Sequence, residues 1–260
     1  MNTSLRSNLV ENSLATISLE KLLVLLGVEA QNIAKKDEIE FGHRRIIAGK
    51  TLYRNGENFE NLYLVFSGFL KLSSIDCDGN ERIIDFPMKS DLLGMDGICD
   101  EHYQLQASAL TDCNVIVIPF RKLLRALRET PSFEDYLYRA ISRSLVREQA
   151  SKTLLSLLSS EGRLARFLML LSERHEALGF SSTCYVLRMT RQEIGSYLGM
   201  SIETVSRCLT ALAQANLIKV EQRNITLLNK RSLRTLQRIP LQNNNAEKNK
   251  KGKLNKLAIV

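Results

Sequence analysis

No apolar run in this chain of 260 residues approaches the roughly 18 residues that a membrane-spanning helix needs. The most apolar early stretch, Leu19–Val28, carries Glu20 and Lys21 and has neither a basic leader nor a small-residue cleavage site. It reads as a core helix and not a signal, so the expected location is the cytoplasm, with no membrane partner. The five cysteines, Cys77, Cys99, Cys113, Cys184 and Cys208, are an odd set without a C-x-x-C pair, which argues against a disulfide framework or a zinc site. There is no phosphate-cradling glycine loop, no H-E-x-x-H and no nucleophile elbow, and His43, His102 and His175 stand apart. An enzyme is not expected. The chain also has no internal repeat.

What it does have is an ordinary supply of core-forming residues, 44% hydrophobic against 25% charged, and enough length for two domains. Its formal charge of +8 is unevenly spread. Residues 1–187 hold 22 Lys and Arg against 24 Asp and Glu, residues 188–238 hold 9 against 3, and residues 239–260 hold 5 against 1. All the excess positive charge therefore lies in the last third, which fits a polyanion partner such as nucleic acid, although a solubilising surface has the same composition.

Residues 1–16 are rich in Asn, Ser and Thr and read as a tail. Leu19 to about Glu40 reads as helix. From Ile46 to Ile118, short alternating runs such as "NLYLVFSGFLKLSSI" and "NVIVIPF" are separated by Gly49, Gly56, Gly68 and Gly79, the pattern of an antiparallel barrel or jelly roll. Asp78-Gly79 predicts a hairpin with a primed turn. After Pro119 the pattern turns helical and Pro131 breaks it. One long helix is expected from Ser132 to about Leu158, with Tyr138, Ile141, Leu145, Glu148, Lys152 and Leu155 spaced as a coiled-coil seam. Such a seam either joins two chains or packs the helix on its own barrel. In a parallel dimer the two Glu148 carboxylates would meet, with Lys152 of the opposite chain placed to offset them. A break at residues 159–162 precedes the next helix, and Gly179 ends it.

The segment from Met189 to Ile218 carries the most specific signal. In "MTRQEIGSYLGMSIETVSRCLTALAQANLI", Thr190 and Glu193 form a capping box, Gly199 suits a sharp left-handed turn, and Ser201 caps a second helix. Val205, Leu209 and Leu212 share the inward face of that helix. "LIKVEQRNITL" follows as strand, turn, strand, so the unit reads as a winged helix-turn-helix. Glu203, Thr204, Ser206 and Arg207 stay outside at the start of the second helix, the end that enters a major groove. Thr190, Arg191 and Ser201 sit at the two helix starts beside them. Arg207 suits guanine O6 and N7, Glu203 suits a cytosine amine, and Ser206 suits several bases or a phosphate. The same face also admits a plain i,i+4 salt bridge between Glu203 and Arg207.

These residues, with "GKTLYRNGENFENLYLVFSG" and "VIVIPF", resemble the CRP/FNR family of bacterial transcription regulators over nearly the whole chain. The resemblance implies an α+β fold divided into a tail at 1–18, a cyclic-nucleotide-binding-like β-roll (double-stranded β-helix) sensor at 19–130, a dimerisation helix at 131–159, a winged helix-turn-helix at 160–240 and a basic tail at 241–260. It implies a homodimer on palindromic double-stranded DNA. "E-T-V-S-R" after an aliphatic residue looks like the FNR branch, which implies a TTGAT-N4-ATCAA-like operator read through Glu203, Ser206 and Arg207. The hairpin tip, Asp76, Asp78, Gly79 and Glu81, matches by position a surface through which the family's activators touch RNA polymerase.

The sensor departs from the better-known branches. Where the family holds a cyclic nucleotide with a Gly-Glu and an Arg-Ser/Thr pair, this chain has Gly94-Met95 and Tyr103-Gln104. It has no cysteine before Cys77, and Ile116 stands at the place of the distal ligand of the family's [4Fe–4S] centre. Neither a cyclic nucleotide nor that cluster is expected, no cofactor is assigned, and the effector is unassigned. Haem or a small effector in the β-roll, with Cys99 and His102 as a weak ligand pair, and a winged helix that binds protein are the other readings. Cys208, beside Arg207, reads either as a small semi-buried helix residue or as a redox thiol if the guanidinium lowers its pKa.

Overall fold

The computed structural model describes residues 16–25, 40–129, 138, 141–142, 145 and 158–237. The first lobe holds β1 (Ile17–Ser18), α1 (Leu19–Leu25), β2 (Glu40–Ile46), β3 (Thr51–Tyr53), β4 (Asn61–Ser67), β5 (Leu70–Ile75), β6 (Glu81–Asp85), β7 (Leu92–Leu93), β8 (Gln106–Ala109), β9 (Cys113–Pro119) and α2 (Phe120–Glu129). The strands form two antiparallel sheets, β1-β2-β9-β4-β7 and β3-β8-β5-β6. Period-two alternation sorts the side chains of β4 and β9 into two cores. Leu62, Leu64, Ile116 and Ile118 pack with Leu22, Phe41 and Leu123 under the helices. Tyr63, Val65, Cys113 and Val115 pack with Leu52, Leu70 and Ala107 between the sheets. With both faces buried, these two strands read as the nearly continuous apolar runs seen in the sequence.

The second lobe holds α3 (Ser160–Ala177), β10 (Cys184–Val186), α4 (Arg191–Leu198), α5 (Ile202–Gln214), β11 (Ile218–Glu221), β12 (Asn224–Leu227) and α6 (Lys230–Leu236). Its small sheet runs β10-β12-β11. The two lobes share a core, because Ile83 and Phe86 of the roll pack with Phe167, Ile194, Leu198 and Val205. The Phe86 ring lies 5.9 Å from Phe167 and 5.4 Å from Tyr197. Arg174 donates to Phe86 O at 3.1 Å and pairs with Asp91.

Four expectations need correction. Ile17 and Ser18, assigned to the tail, pair with Phe41 and Glu40 as β1. The β pattern begins at Glu40, not Ile46: His43, Arg44 and Arg45 hide the alternation, but main-chain pairing of Gly42–Ile46 with β9 makes the strand. The hairpin turn is not primed. Asp76 and Asn80 close it by a 3.1 Å hydrogen bond, Gly79 donates to Asp76 O at 3.0 Å, and within it only Gly79 takes a positive φ, 82°. Either primed turn of Asp78-Gly79 needs a positive φ at Asp78, which it does not have. Finally, α3 starts at Ser160, because the Ser159 side chain caps it by accepting the Gly162 N–H.

Of the seam residues, Tyr138, Ile141 and Leu145 are helical, with Tyr138 64% and Leu145 54% exposed. Glu148, Lys152 and Leu155, and the 241–260 segment, lie outside the described residues.

Candidate nucleic-acid interface

The helix pair is built from local signals. Thr190 Oγ1 accepts the Glu193 N–H at 3.1 Å, and Glu193 Oε2 accepts the Thr190 N–H at 2.7 Å, so the capping box closes in both directions. Gly199 ends α4 with φ 64° and ψ 44°, the left-handed geometry glycine adopts without strain. Ser201 Oγ then accepts the Thr204 N–H at 3.2 Å and starts α5. Gly195 is a second requirement that the sequence pattern did not single out: a Cβ there would sit 2.6 Å from Met200 O. Only a bare α-carbon lets the turn fold back so closely on the first helix.

Burial fixes how α5 is rotated. Val205, Cys208, Leu209 and Leu212 are all within 4% of full burial. Glu203, Arg207 and Thr210 are exposed, and Thr204 and Ser206 are half-buried. The Glu203 carboxyl is held below its usual range, first by its own backbone N–H and the Ser201 hydroxyl, and further by Arg207. It is therefore ionised and a pure acceptor near neutral pH. Among the described residues, Glu203 and Arg207 form no ion pair, so the exposed Arg207 is not tied to the carboxylate, which turns back toward the helix start. Arg191, at the start of α4, reaches across and donates from Nη1 to Ser206 Oγ at 3.2 Å. Ser206 Oγ in turn donates to Ile202 O at 2.9 Å. The wing, β11 and β12, turns at Gln222, with φ 56°, beside the exposed Arg223.

The helix-turn-helix is seated on the β5–β6 hairpin. Ser196 Oγ accepts the Ile83 N–H at 2.9 Å. Lys71 donates to Glu81 Oε2 at 2.8 Å and lies 3.2 Å from Glu193 Oε1. Glu81 is thus engaged toward the second lobe, whereas Asp78 and Gly79 are exposed at the hairpin tip. Asp76 holds the turn by accepting the Asp78 and Asn80 N–H groups at 3.0 and 2.8 Å.

Cys208 does not have the environment expected of an activated thiol. It is 3% exposed, and its pKa is raised, first by burial and then by the Glu161 carboxylate, with Arg207 pulling the other way. Cys99 is exposed, and His102 Nδ1 lies 2.9 Å from Asp100 O. Among the described residues no three His, Cys, Asp or Glu side chains cluster as a metal site, and no helix is long and apolar enough to cross a membrane.

The loop of the roll from Gly94 to Leu105 contains Asp96, Asp100 and Glu101 and no Lys or Arg. Asp96 Oδ2 accepts the Gln104 and Leu105 N–H groups, both at 2.9 Å. The Tyr103 ring stacks on Tyr53 at 4.1 Å, and its hydroxyl donates to Asn61 O at 2.8 Å. The loop itself offers a cyclic phosphate carboxylates and an aromatic ring but no Lys or Arg, while Arg44 and Arg54 line the cavity beside the Tyr53–Tyr103 stack.

A roll of two antiparallel sheets carrying a glycine-turned helix pair and a hairpin wing, with ionised groups along one helix start, defines a sensor-linked winged-helix DNA-binding protein. Residues 162–236 match the model of the Crp-like helix-turn-helix domain, and residues 43–130 that of the cyclic nucleotide-binding domain. The transcriptional regulatory protein btr of Bordetella pertussis is 36% identical over 213 residues, 82% of this chain and 88% of the relative. The transcriptional activator protein anr of Pseudomonas aeruginosa is 37% identical over 211 residues, 81% of this chain and 86% of the relative. The structure of FixK2 from Bradyrhizobium japonicum superimposes with a TM-score of 0.70 at 25% identity, covering 76% of this chain and 98% of that one. The chain belongs to the CRP/FNR family of transcription regulators.

Proposed function

We propose that the chain acts in the cytoplasm as a homodimer that binds a palindromic TTGAT-N4-ATCAA-like operator and contacts RNA polymerase there, without a cyclic nucleotide or a [4Fe–4S] cluster. The observation that carries this reading is the rotation of α5. Val205, Leu209 and Leu212 are pinned inside while Glu203 and Arg207 lie exposed at its first turns. A carboxylate and a guanidinium two residues either side of a buried valine match the cytosine amine and the guanine O6/N7 edge of neighbouring base pairs.

Dimerisation is supported by Tyr138 and Leu145, apolar residues seven positions apart on helical backbone and both more than half exposed. A two-fold dimer would present two copies of α5 one helical turn of DNA apart. The polymerase contact would use Asp78 and Gly79 at the hairpin tip more than Glu81, which Lys71 engages. The Gly94–Leu105 loop, with its three carboxylates and no cation, supports regulation by something other than a cyclic nucleotide.

Titration of the purified protein against the palindrome and against a scrambled duplex of the same composition tests the reading. Two chains per palindrome, a clear preference for it, and no response to added cyclic nucleotide are expected. One chain per duplex, or equal affinity for both duplexes, overturns it.

A further inference from the structure

The Ser206 hydroxyl is already committed on two sides. Its proton goes to Ile202 O at 2.9 Å, and one lone pair receives Arg191 Nη1 at 3.2 Å. A serine hydroxyl has one proton and two lone pairs, so what remains toward the groove is a single acceptor. Thr210 repeats the pattern one turn later by donating to Ser206 O at 3.1 Å. Arg191 belongs to a different helix, fifteen residues earlier, and among the described residues its side chain contacts Ser206 alone while the residue stays exposed.

We infer that Arg191 and Ser206 read the operator as one unit, in which Ile202 O takes the Ser206 proton and Arg191 is a positioning residue that turns the remaining lone pair toward the groove. So held, Ser206 recognises an exocyclic amine, adenine N6 or cytosine N4, and does not donate to thymine O4 or to guanine O6 or N7. The remaining guanidinium donors of Arg191 lie beside it for the adjacent phosphate. The inference rests on the groove-facing reading of α5 and adds which chemical edge Ser206 takes and which residues enforce it.

The test uses full-length protein and the palindrome in which single adenines are replaced by purine, and single cytosines by 2-pyrimidinone, each lacking only the amine. One position beyond that read by Glu203 should lose about fivefold in affinity on amine deletion, the worth of one hydrogen bond. Ser206→Ala should erase that sensitivity. Arg191→Ala should also reduce it, although Arg191 does not touch that base. If Arg191 serves only a phosphate or the fold, its removal weakens every duplex equally and leaves the ratio at that base unchanged, which overturns the inference while the operator reading stands. Wild-type protein with no preference for the palindrome over a scrambled duplex overturns both.

Discussion

Lys71 and Glu193 lie 3.2 Å apart across the two lobes, with only 18% and 16% of their side chains exposed. The same ammonium donates to Glu81, and the same carboxylate group closes the capping box of α4. One cation of the roll is thereby tied to the residue that starts the helix-turn-helix. Replacing it leaves two carboxylates facing each other without a counter-charge. Lys71→Met should therefore lower stability by about 1–3 kcal/mol, between the worth of an exposed and a buried pair. Denaturant unfolding measures this, and an unchanged midpoint would show that the lobes do not depend on the contact.

The contact of Lys71 with Glu81 sets a pH window. Burial raises the Glu81 carboxyl, but the Lys71 ammonium 2.8 Å away pulls it down, and the net value falls below the ordinary 4.5. Burial lowers Lys71, yet Glu81 and Glu193 outweigh it and the net value rises above 10.5. A carboxyl lowered on folding stabilises above its unfolded pKa and loses that contribution as pH falls through the folded value. An amine raised on folding stabilises below its unfolded pKa and loses it as pH rises through the folded value. The difference in unfolding midpoint between wild type and Lys71→Met should stay flat from about pH 5 to about pH 10 and shrink outside these limits. A change centred near neutral pH would assign the contact to other groups.

Cys208 should be a slow thiol, as should the buried Cys113. Cys77, Cys99 and Cys184 are exposed, whereas Cys208 is buried with a raised pKa, and alkylation requires an accessible thiolate. Timed alkylation of folded protein followed by peptide mapping should find those three labelled well before Cys208. Labelling of Cys208 at the rate of Cys99 would restore it as a redox candidate.

The helix-turn-helix was legible in the sequence because its signals are local: a capping box within four residues, a glycine at the turn, a capping serine and a three-to-four spacing of apolar side chains. The strands β4 and β9 were legible from their apolar runs. What could not be read were relationships set by the fold. Ser196 meets Ile83 from 113 residues away, and nothing in either neighbourhood announces it. Lys71 reads as an ordinary polar position on a strand until Glu193 arrives beside it. Arg207 stands next to Cys208 in sequence, which pointed to an activated thiol. Consecutive residues point about 100° apart around a helix, so Arg207 reaches solvent while Cys208 turns into the core.

The most direct measurement is the affinity of wild type and Arg207→Ala for the palindrome and for duplexes altered at the G·C pair of each half-site, over a range of salt. Wild type should discriminate by about 1–3 kcal/mol per altered pair, and affinity should fall steeply with salt. Arg207→Ala should lose that discrimination while keeping its residual, salt-sensitive binding. If Arg207→Ala distinguishes the duplexes as well as wild type does, the start of α5 does not read the operator.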